Sequence, residues 1–179
     1  MTRYIAFLRA VNVGGRVVRM ERLRALFGEL GLAGVRTYIQ TGNVFFDTDE
    51  PDRAALTERI ERHLEQALGY EVATFLRTVE EVEATIALNP FAGREITPDM
   101  RLTVVFTAQP FPADVPLPLL SPKGDVEIVH ATPGEVFVIW YIRNGRPPNP
   151  GPLLDRLLSG QSTSRFFGTT AKVLAAATR

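Results

Sequence analysis

The chain has 179 residues, 45% of them hydrophobic, and its 20 basic residues balance its 20 acidic ones. Such a chain can bury a hydrophobic core without disulfides or a structural metal. Zero net charge gives no overall electrostatic attraction to nucleic acid or anionic lipid, so only a local basic patch could provide one. The sequence has no cysteine, which excludes disulfides, thiolate metal sites and a cysteine nucleophile. No apolar run approaches the ~20 residues of a membrane span and no signal-peptide pattern is present, so we expect a cytoplasmic protein.

The first predicted element is a strand that runs directly into a polar loop. Residues 4–8 are apolar at every position, so both faces of the strand need cover and the strand is predicted to be central in a sheet. Asn12, Gly14 and Gly15 follow in a loop, and apolar residues at helical spacing predict a helix from about Met20. Backbone amides in a glycine-bearing loop can approach a ligand closely.

The segments up to residue 78 complete a first half. In order they are a helix that ends at Gly31, a strand over 35–40, a tight turn at Thr41 and Gly42, a strand over 43–47, a helix between Pro51 and Gly69, and a strand over 72–77. This order is that of a ferredoxin-like unit, in which the first and third strands are central. The run Val44-Phe45-Phe46 is apolar on both faces, as a central third strand requires.

The second half repeats this order more loosely. Thr78 and Glu81 form a capping box that opens a connecting helix, and five prolines between residues 110 and 122 permit at most a short helix. The other predicted elements are strands over 101–107, 125–130, 136–142 and 162–167 and helices over 153–158 and 170–178. We therefore predict an α+β fold of two ferredoxin-like (βαββαβ) halves in tandem, the second irregular: residues 1–78, a connecting helix and loop at 79–100, and residues 101–179 with the C-terminal helix.

Four motifs carry a resemblance to a known family. They are Tyr-Ile-Ala-Phe-Leu-Arg-Ala-Val-Asn-Val-Gly-Gly at 4–15, Thr-Tyr-Ile-Gln-Thr-Gly-Asn-Val at 37–44, Asn-Pro-Phe at 89–91, and Thr-Ser-Arg at 163–165 with Thr169 and Lys172. In this order and spacing they resemble the bacterial domain-of-unknown-function 1697 family, which implies two ferredoxin-like halves and no agreed activity. Family members typically carry Thr-Thr-Arg-Asn-Trp-Asn-Thr before the last helix, whereas residues 163–169 here lack both asparagines.

The segment from Arg9 to Arg19, hereafter the 9–19 loop, has the ingredients of an anion-binding cradle. It combines flexible backbone amides with cations at a strand-to-helix position: Arg9, Asn12, Gly14, Gly15, Arg16 and Arg19. The spaced glycines of a dinucleotide fingerprint and the Gly-Lys-Ser/Thr ending of a Walker A loop are absent. The alternative interpretation is a glycine turn beside solvated arginines.

Two further regions offer polar groups to a ligand. Gln40, Thr41 and Asn43 present amides and a hydroxyl at the predicted hairpin, although turn chemistry beside Gly42 explains them equally well. Around the start of the last helix the polar residues are Arg165, Thr169, Thr170 and Lys172. There a side-chain cap, free amides and two cations can converge on a phosphate or carboxylate, and an ordinary threonine cap with surface charges is the alternative.

The sequence thus predicts a protein that binds a small anionic or polar ligand at strand-to-helix loops. The predicted ligand-binding residues are Arg9, Asn12, Gly14, Gly15, Gln40, Asn43, Arg165, Thr169 and Lys172, in one cleft if the fold brings them together. No catalytic residue is identified, and we predict no cofactor and no metal, because His63 and His130 lack metal-ligand spacing. We expect no membrane partner and no tight nucleic-acid binding.

Two other functions stay open. One is RNA binding, with bases stacked on Tyr4, Phe7, Phe45 and Phe46 of the two central strands. The other is a protein-interaction module without catalysis.

Overall fold

A computed structural model describes residues 1–179 as an α+β protein with two antiparallel sheets and five helices. The chain divides into two compact units: unit 1 comprises Met1–Glu83 with Val173–Arg179, and unit 2 comprises Ala84–Lys172. The predicted division at 1–78, 79–100 and 101–179 stays a prediction, and we note that the last seven residues group with unit 1. None of the helices combines the length and apolar character needed to cross a bilayer.

Unit 1 contains a four-stranded sheet with two helices. Its elements are β1 (Thr2–Leu8), α1 (Met20–Glu29), β2 (Ala33–Thr37), β3 (Asn43–Thr48), α2 (Arg53–Leu68) and β4 (Thr74–Thr78). The strand order is β2-β3-β1-β4, with every neighbouring pair antiparallel. The prediction that the first and third strands are central is therefore confirmed.

Alternation along the central strands explains how this sheet is covered. Tyr4, Ala6 and Leu8 face a core built with α1 and α2, in which Phe46 stacks on Tyr4 at 5.8 Å between ring centroids. Ile5 and Phe7 point to the opposite face and are also fully buried. A strand buried on both faces reads as a continuous apolar run, which is why the sequence alone located it.

The ends of α2 and the start of α3 (Val79–Leu88) are fixed by side chains that the sequence indicates. Asp52 accepts a hydrogen bond from the Ala55 amide at the start of α2, and Gly69 ends that helix in the left-handed conformation. The predicted capping box is present at α3, because the Thr78 amide donates to the Glu81 carboxylate and the Glu81 amide to the Thr78 hydroxyl.

Unit 2 contains a five-stranded sheet. Its strands are β5 (Met100–Thr107), β6 (Leu119–Leu120), β7 (Val126–Ala131), β8 (Glu135–Tyr141) and β9 (Ser162–Phe166), and its helices are α4 (Gly151–Leu157) and the first part of α5 (Phe167–Ala177). The order β6-β7-β8-β5-β9 places β8 between β7 and β5. The proline-rich segment after β5 contains no helix and contributes the two-residue strand β6, because proline removes amide donors and clashes within a helix.

The core of unit 2 explains the Asn-Pro-Phe motif. Phe91 is buried and packs edge-to-face on Phe137, at 6.1 Å between ring centroids, and on Phe167, at 5.3 Å. On the other face of the sheet, Val105, Val136 and other apolar residues pack with leucines of α4. The motif therefore anchors the segment that follows α3.

Two details of the predicted hairpin are wrong. β2 covers Ala33–Thr37, not residues 35–40, and the connection to β3 is a longer turn in which the Tyr38 amide donates to the Asn43 carbonyl. The physical reason is Ile39, whose φ of 51° places a β-branched residue in the left-handed region. No local propensity predicts that conformation, so the strand ends earlier than its apolar pattern suggests.

Candidate functional site

The 9–19 loop begins where β1 leaves its sheet. The Arg9 amide donates to the Ala73 carbonyl at 2.9 Å, which is the last pairing of this strand toward the β4 side. Ala10 and Asn12 then adopt positive φ, 57° and 59°, which turns the chain away from the sheet. Left-handed backbone at two non-glycine residues costs conformational energy, so this path is held by the surrounding bonds.

A tight turn forms the tip of the loop. The Arg16 amide donates to the Val13 carbonyl at 3.2 Å, and the two central residues, Gly14 and Gly15, have φ of 63° and 83°. Positive φ at both central positions is the property of a type I′ turn, which explains the glycine pair. No heavy atom lies within 4 Å of a Cβ built on either glycine, so there is open space where a side chain would project from each of them.

Asn12 braces this turn against the hairpin. Its Nδ2 donates to the Gln40 carbonyl at 2.9 Å, and its Oδ1 accepts from the Val18 amide at 2.5 Å. Val11 and Val18, one near each end of the turn, are buried at 3% and 4% exposure. The structure therefore brings the predicted residues Asn12 and Gln40 together, and the Asn12 side chain serves to hold the loop in shape.

The electrostatics of the loop favour anions. Arg9, Arg16 and Arg19 are exposed, and the first acidic residue of the chain is Glu21. The guanidinium of Arg16 lies over the Tyr70 ring at 4.2 Å from its centroid, a cation–π contact that orients it. Arg19 is the N-cap of α1 without a side-chain cap, so the positive end of that helix adds to the local potential.

The hairpin residues have structural partners. Asn43 is fully buried, and its Nδ2 donates to the Tyr38 carbonyl at 3.1 Å and the Thr41 hydroxyl at 3.0 Å. A Cβ built on Gly42 would lie 3.0 Å from the Leu8 Cβ, and the Leu8 amide donates to the Gly42 carbonyl at 2.9 Å. These contacts show that the turn before β3 packs against the end of β1. The packing explains why the 4–15 and 37–44 motifs, which are distant in sequence, occur together.

Arg165 differs from the loop arginines because it is buried, at 8% exposure. Its Nη1 donates to the Thr163 hydroxyl at 2.9 Å and to the Ser164 carbonyl at 2.8 Å. Burial lowers the pKa of Arg165 to about 10, because removal from water disfavours the charged form. β9 ends at Phe166 and α5 begins at Phe167, so no loop separates Arg165 from the helix.

The other predicted residues of this region lie on the first turns of α5. Thr169 is half-buried and Lys172 is exposed. The Thr170 hydroxyl donates to the Phe166 carbonyl, four residues earlier, at 2.9 Å, so it acts as a donor to the backbone and does not accept from an amide at the helix start. Arg165, Thr169 and Lys172 belong to unit 2 and the 9–19 loop belongs to unit 1, so the single cleft joining both regions stays a prediction.

A polar cluster that the sequence did not single out lies in unit 2. The Tyr141 hydroxyl donates to the Glu127 carboxylate at 2.7 Å, and Arg94 pairs with the other oxygen of Glu127 at 2.9 Å. Burial, followed by this hydrogen bond to a carboxylate, raises the pKa of Tyr141 to about 12. The cluster ties the segment after α3 to β7 and β8.

The RNA-binding alternative loses the observation on which it depended. Tyr4, Phe7, Phe45 and Phe46 are buried, with at most 5% of each residue exposed. A base can stack only on a ring whose face is accessible. These four aromatics are core residues.

The structure also reveals features of the loop that sequence reasoning missed. Val13 and Val17 are 60% and 84% exposed, and Tyr70 lies beneath Arg16 with its buried hydroxyl lacking a hydrogen-bond partner. The valines had a sequence signal, since Val13 and Val17 flank two glycines and an arginine outside any periodic apolar segment. Tyr70 had none, because its distance from Arg16 along the chain hides a tertiary contact.

Comparisons with known proteins identify relatives of the chain. A family model described as "Protein of unknown function (DUF1697)" matches residues 1–137, which confirms the predicted family. The solved structure of the conserved bacterial protein SP0830 from Streptococcus pneumoniae has a TM-score of 0.70 at 21% identity and covers 100% of this chain and 99% of that one. This likeness concerns the fold. The comparison with curated proteins gave no match.

Proposed function

The chain belongs to the DUF1697 family, and from that premise we propose that it binds a small anionic ligand at the 9–19 loop. The observation that carries the proposal is the type I′ turn, because no hydrogen bond within the protein uses the amides of Gly14 and Gly15. Open space surrounds the Cβ position of each glycine, and the exposed residues Arg9, Arg16 and Arg19 flank the pair in the chain. Adjacent unused amides with left-handed backbone form a concave donor surface for an oxyanion.

Each predicted residue has a place in this proposal. Gly14 and Gly15 donate backbone amides, and the three arginines supply charge-assisted hydrogen bonds. Asn12, Gln40 and Asn43 act indirectly, because their side chains or carbonyls hold the turn and the hairpin in position. The proposal retains the unit 2 residues as a second contact region, to be measured separately: Arg165, Thr169 and Lys172.

Two structural and cellular features belong to the same proposal. We propose that both units are ferredoxin-like, since β2-β3-β1-β4 and β7-β8-β5-β9 follow the same order of second, third, first and fourth strand. In unit 2 the proline-rich segment and β6 replace the first helix. We also propose a cytoplasmic location, because a chain without cysteine cannot form the disulfides that are typical of proteins in oxidising compartments.

The proposed site is shallow and exposed, so the expected affinity is modest, with Kd on the order of 1 mM for a simple phosphate. At a ligand concentration about twenty times Kd, linkage stabilises the native state by ~1.8 kcal/mol. For a chain of this size that raises Tm by roughly 4–7 °C. A thermal-shift screen of inorganic phosphate, sugar phosphates, nucleotides and carboxylates at matched ionic strength measures this directly.

Charge-matched variants test the location of the site. Arg16→Gln and Arg19→Gln should each weaken phosphate binding by up to about 1 kcal/mol, a fivefold increase in Kd. Arg59→Gln removes the same charge from an exposed position on α2 and should leave Kd unchanged. Equal effects of all three variants, or no Tm increase with any anion, would contradict the proposal.

A further inference from the structure

The apolar residues of the 9–19 loop divide into an inner and an outer pair. Val11 and Val18 are buried in the core of unit 1, whereas Val13 and Val17 are 60% and 84% exposed. The inner pair anchors the loop, and the outer pair contributes nothing to the core. Single exposed apolar residues are ordinary on a protein surface, but here two occur within the five residues 13–17, between arginines in the sequence.

The turn geometry places the outer valines beside the cations. Val13 and Arg16 are the first and last residues of the type I′ turn and are joined by a hydrogen bond of 3.2 Å. Val17 follows Arg16 directly, and Asn12 fixes the segment by accepting from the Val18 amide. The stack of Arg16 on Tyr70 keeps its guanidinium in a fixed position over that ring. Residues 13–17 therefore combine two exposed apolar side chains with an exposed cation in one short segment.

We infer that the ligand of this loop is an anionic amphiphile, a phosphate or carboxylate that carries an alkyl group. This inference rests on the proposed anion site and adds the ligand's second part. The anionic end meets the amides of Gly14 and Gly15 and the arginines, while the alkyl group covers Val13 and Val17 and removes their apolar surface from water.

A protein partner fits this surface less well. Two valines on a protruding turn offer a small apolar area, whereas a specific protein interface buries on the order of 1,000 Å² or more. An alkyl chain needs only the area of a few methylene groups to gain affinity. The same chemistry is present in a free alkyl phosphate and in the headgroup region of an anionic lipid, so the experiment separates the two sources.

The test compares inorganic phosphate with hexyl phosphate, by isothermal titration of the full chain. Hexyl phosphate should bind roughly tenfold more tightly, which corresponds to burial of about two methylene groups. A double variant, Val13→Ser with Val17→Ser, should remove this tenfold preference and leave the Kd for inorganic phosphate unchanged. Arg19→Gln should weaken both ligands by the same factor, so that the preference persists.

A second arm uses vesicles of phosphatidylcholine with and without phosphatidylglycerol. Co-sedimentation only with phosphatidylglycerol, abolished by the valine double variant, identifies a lipid source; binding of hexyl phosphate without vesicle binding identifies a soluble one. Equal Kd values for the two phosphates, or a preference that survives the valine double variant, would overturn the inference while the anion site stands. If inorganic phosphate fails to bind at all, the proposed function fails first, and valine-dependent binding of hexyl phosphate then shows an apolar site alone.

Discussion

The 9–19 loop and the segment around Arg165 both place arginine close to the start of a helix, yet the structure gives these arginines different environments. Arg16 and Arg19 are exposed beside a turn whose two glycines have open space around their Cβ positions. Arg165 is buried, bonded to Thr163 and Ser164, and has a lowered pKa. The difference shows that an arginine at the same kind of junction can be packed into the fold in one place and open to solvent in another.

Strand alternation is the cause of the difference. Arg165 lies on β9 opposite Val104 of β5, and the residues of β9 alternate, with Thr163 and Arg165 buried and Ser164 exposed. A side chain at an inward position of a sheet cannot reach solvent without a change of register. The loop arginines are under no such constraint, since no ladder fixes their direction.

The largest expected effect is a difference in stability between variants of Arg165 and Arg19. Arg165→Ala should lower the free energy of unfolding by roughly 2–4 kcal/mol, because it removes buried hydrogen bonds and leaves a cavity. Arg19→Ala should change it by no more than about 0.5 kcal/mol, as is usual for an exposed site. Urea denaturation of both variants measures the contrast. An Arg165→Ala protein as stable as the wild type would remove the structural role assigned to this residue.

A second comparison concerns the stability cost of adding a side chain at Gly42, which is closely packed, and at Gly15, which is open. Gly42→Ala should cost roughly 2–3 kcal/mol, because the new Cβ lies 3.0 Å from Leu8 and φ is 87°. Gly15→Ala meets only the cost of its left-handed backbone, about 1–2 kcal/mol, since its surroundings are open. Thermal unfolding of the two variants gives the order directly. If Gly15→Ala were the more damaging change, the turn would pack against the protein and would not be open to a ligand.

The smallest expected effect is a loss of stability at alkaline pH, caused by ionisation of Tyr141. The folded-state pKa of Tyr141, about 12, lies above its unfolded value near 10. The stability that this shift provides is therefore fully present below about pH 10 and is lost as pH rises toward 12. Tyr141→Phe should remove this alkaline loss, and the ultraviolet difference absorbance between wild type and variant follows the phenolate. A Tyr141 that ionises near pH 10 would show that Glu127 and burial do not hold its proton.

Much of the fold could be predicted from the sequence because it depends on local patterns. The continuous apolar run in β1 and the capping box of Thr78 and Glu81 are written in adjacent residues, and both predictions are confirmed. The hairpin turn was mispredicted because Ile39 adopts a left-handed φ of 51°, which a β-branched residue rarely does. In unit 2 the prolines set the predicted limit of at most a short helix, but they do not specify the two-residue strand β6 that occurs there.

The candidate site was predictable only in part. The glycine pair indicates a type I′ turn from sequence alone, whereas the brace between Asn12 and Gln40 joins residues far apart in the chain. The burial of Asn43 and Arg165 depends on the packing around them, so it cannot be predicted from the residue type alone. The family match ends at residue 137, so the segment with Arg165, Thr169 and Lys172 lies outside it, in the region where this chain lacks the two asparagines.

The most direct test of the central claim is a titration of the ¹⁵N-labelled protein with inorganic phosphate, followed by the amide resonances of Gly14 and Gly15. We expect the two resonances to shift with a common Kd for phosphate. Arg16→Gln should raise that Kd, and Arg59→Gln should leave it unchanged. The amides around Arg165 should shift less, because that side chain is buried and bonded within the protein. Phosphate-dependent shifts centred on Thr169 and Lys172, with Gly14 and Gly15 unchanged, would contradict the account.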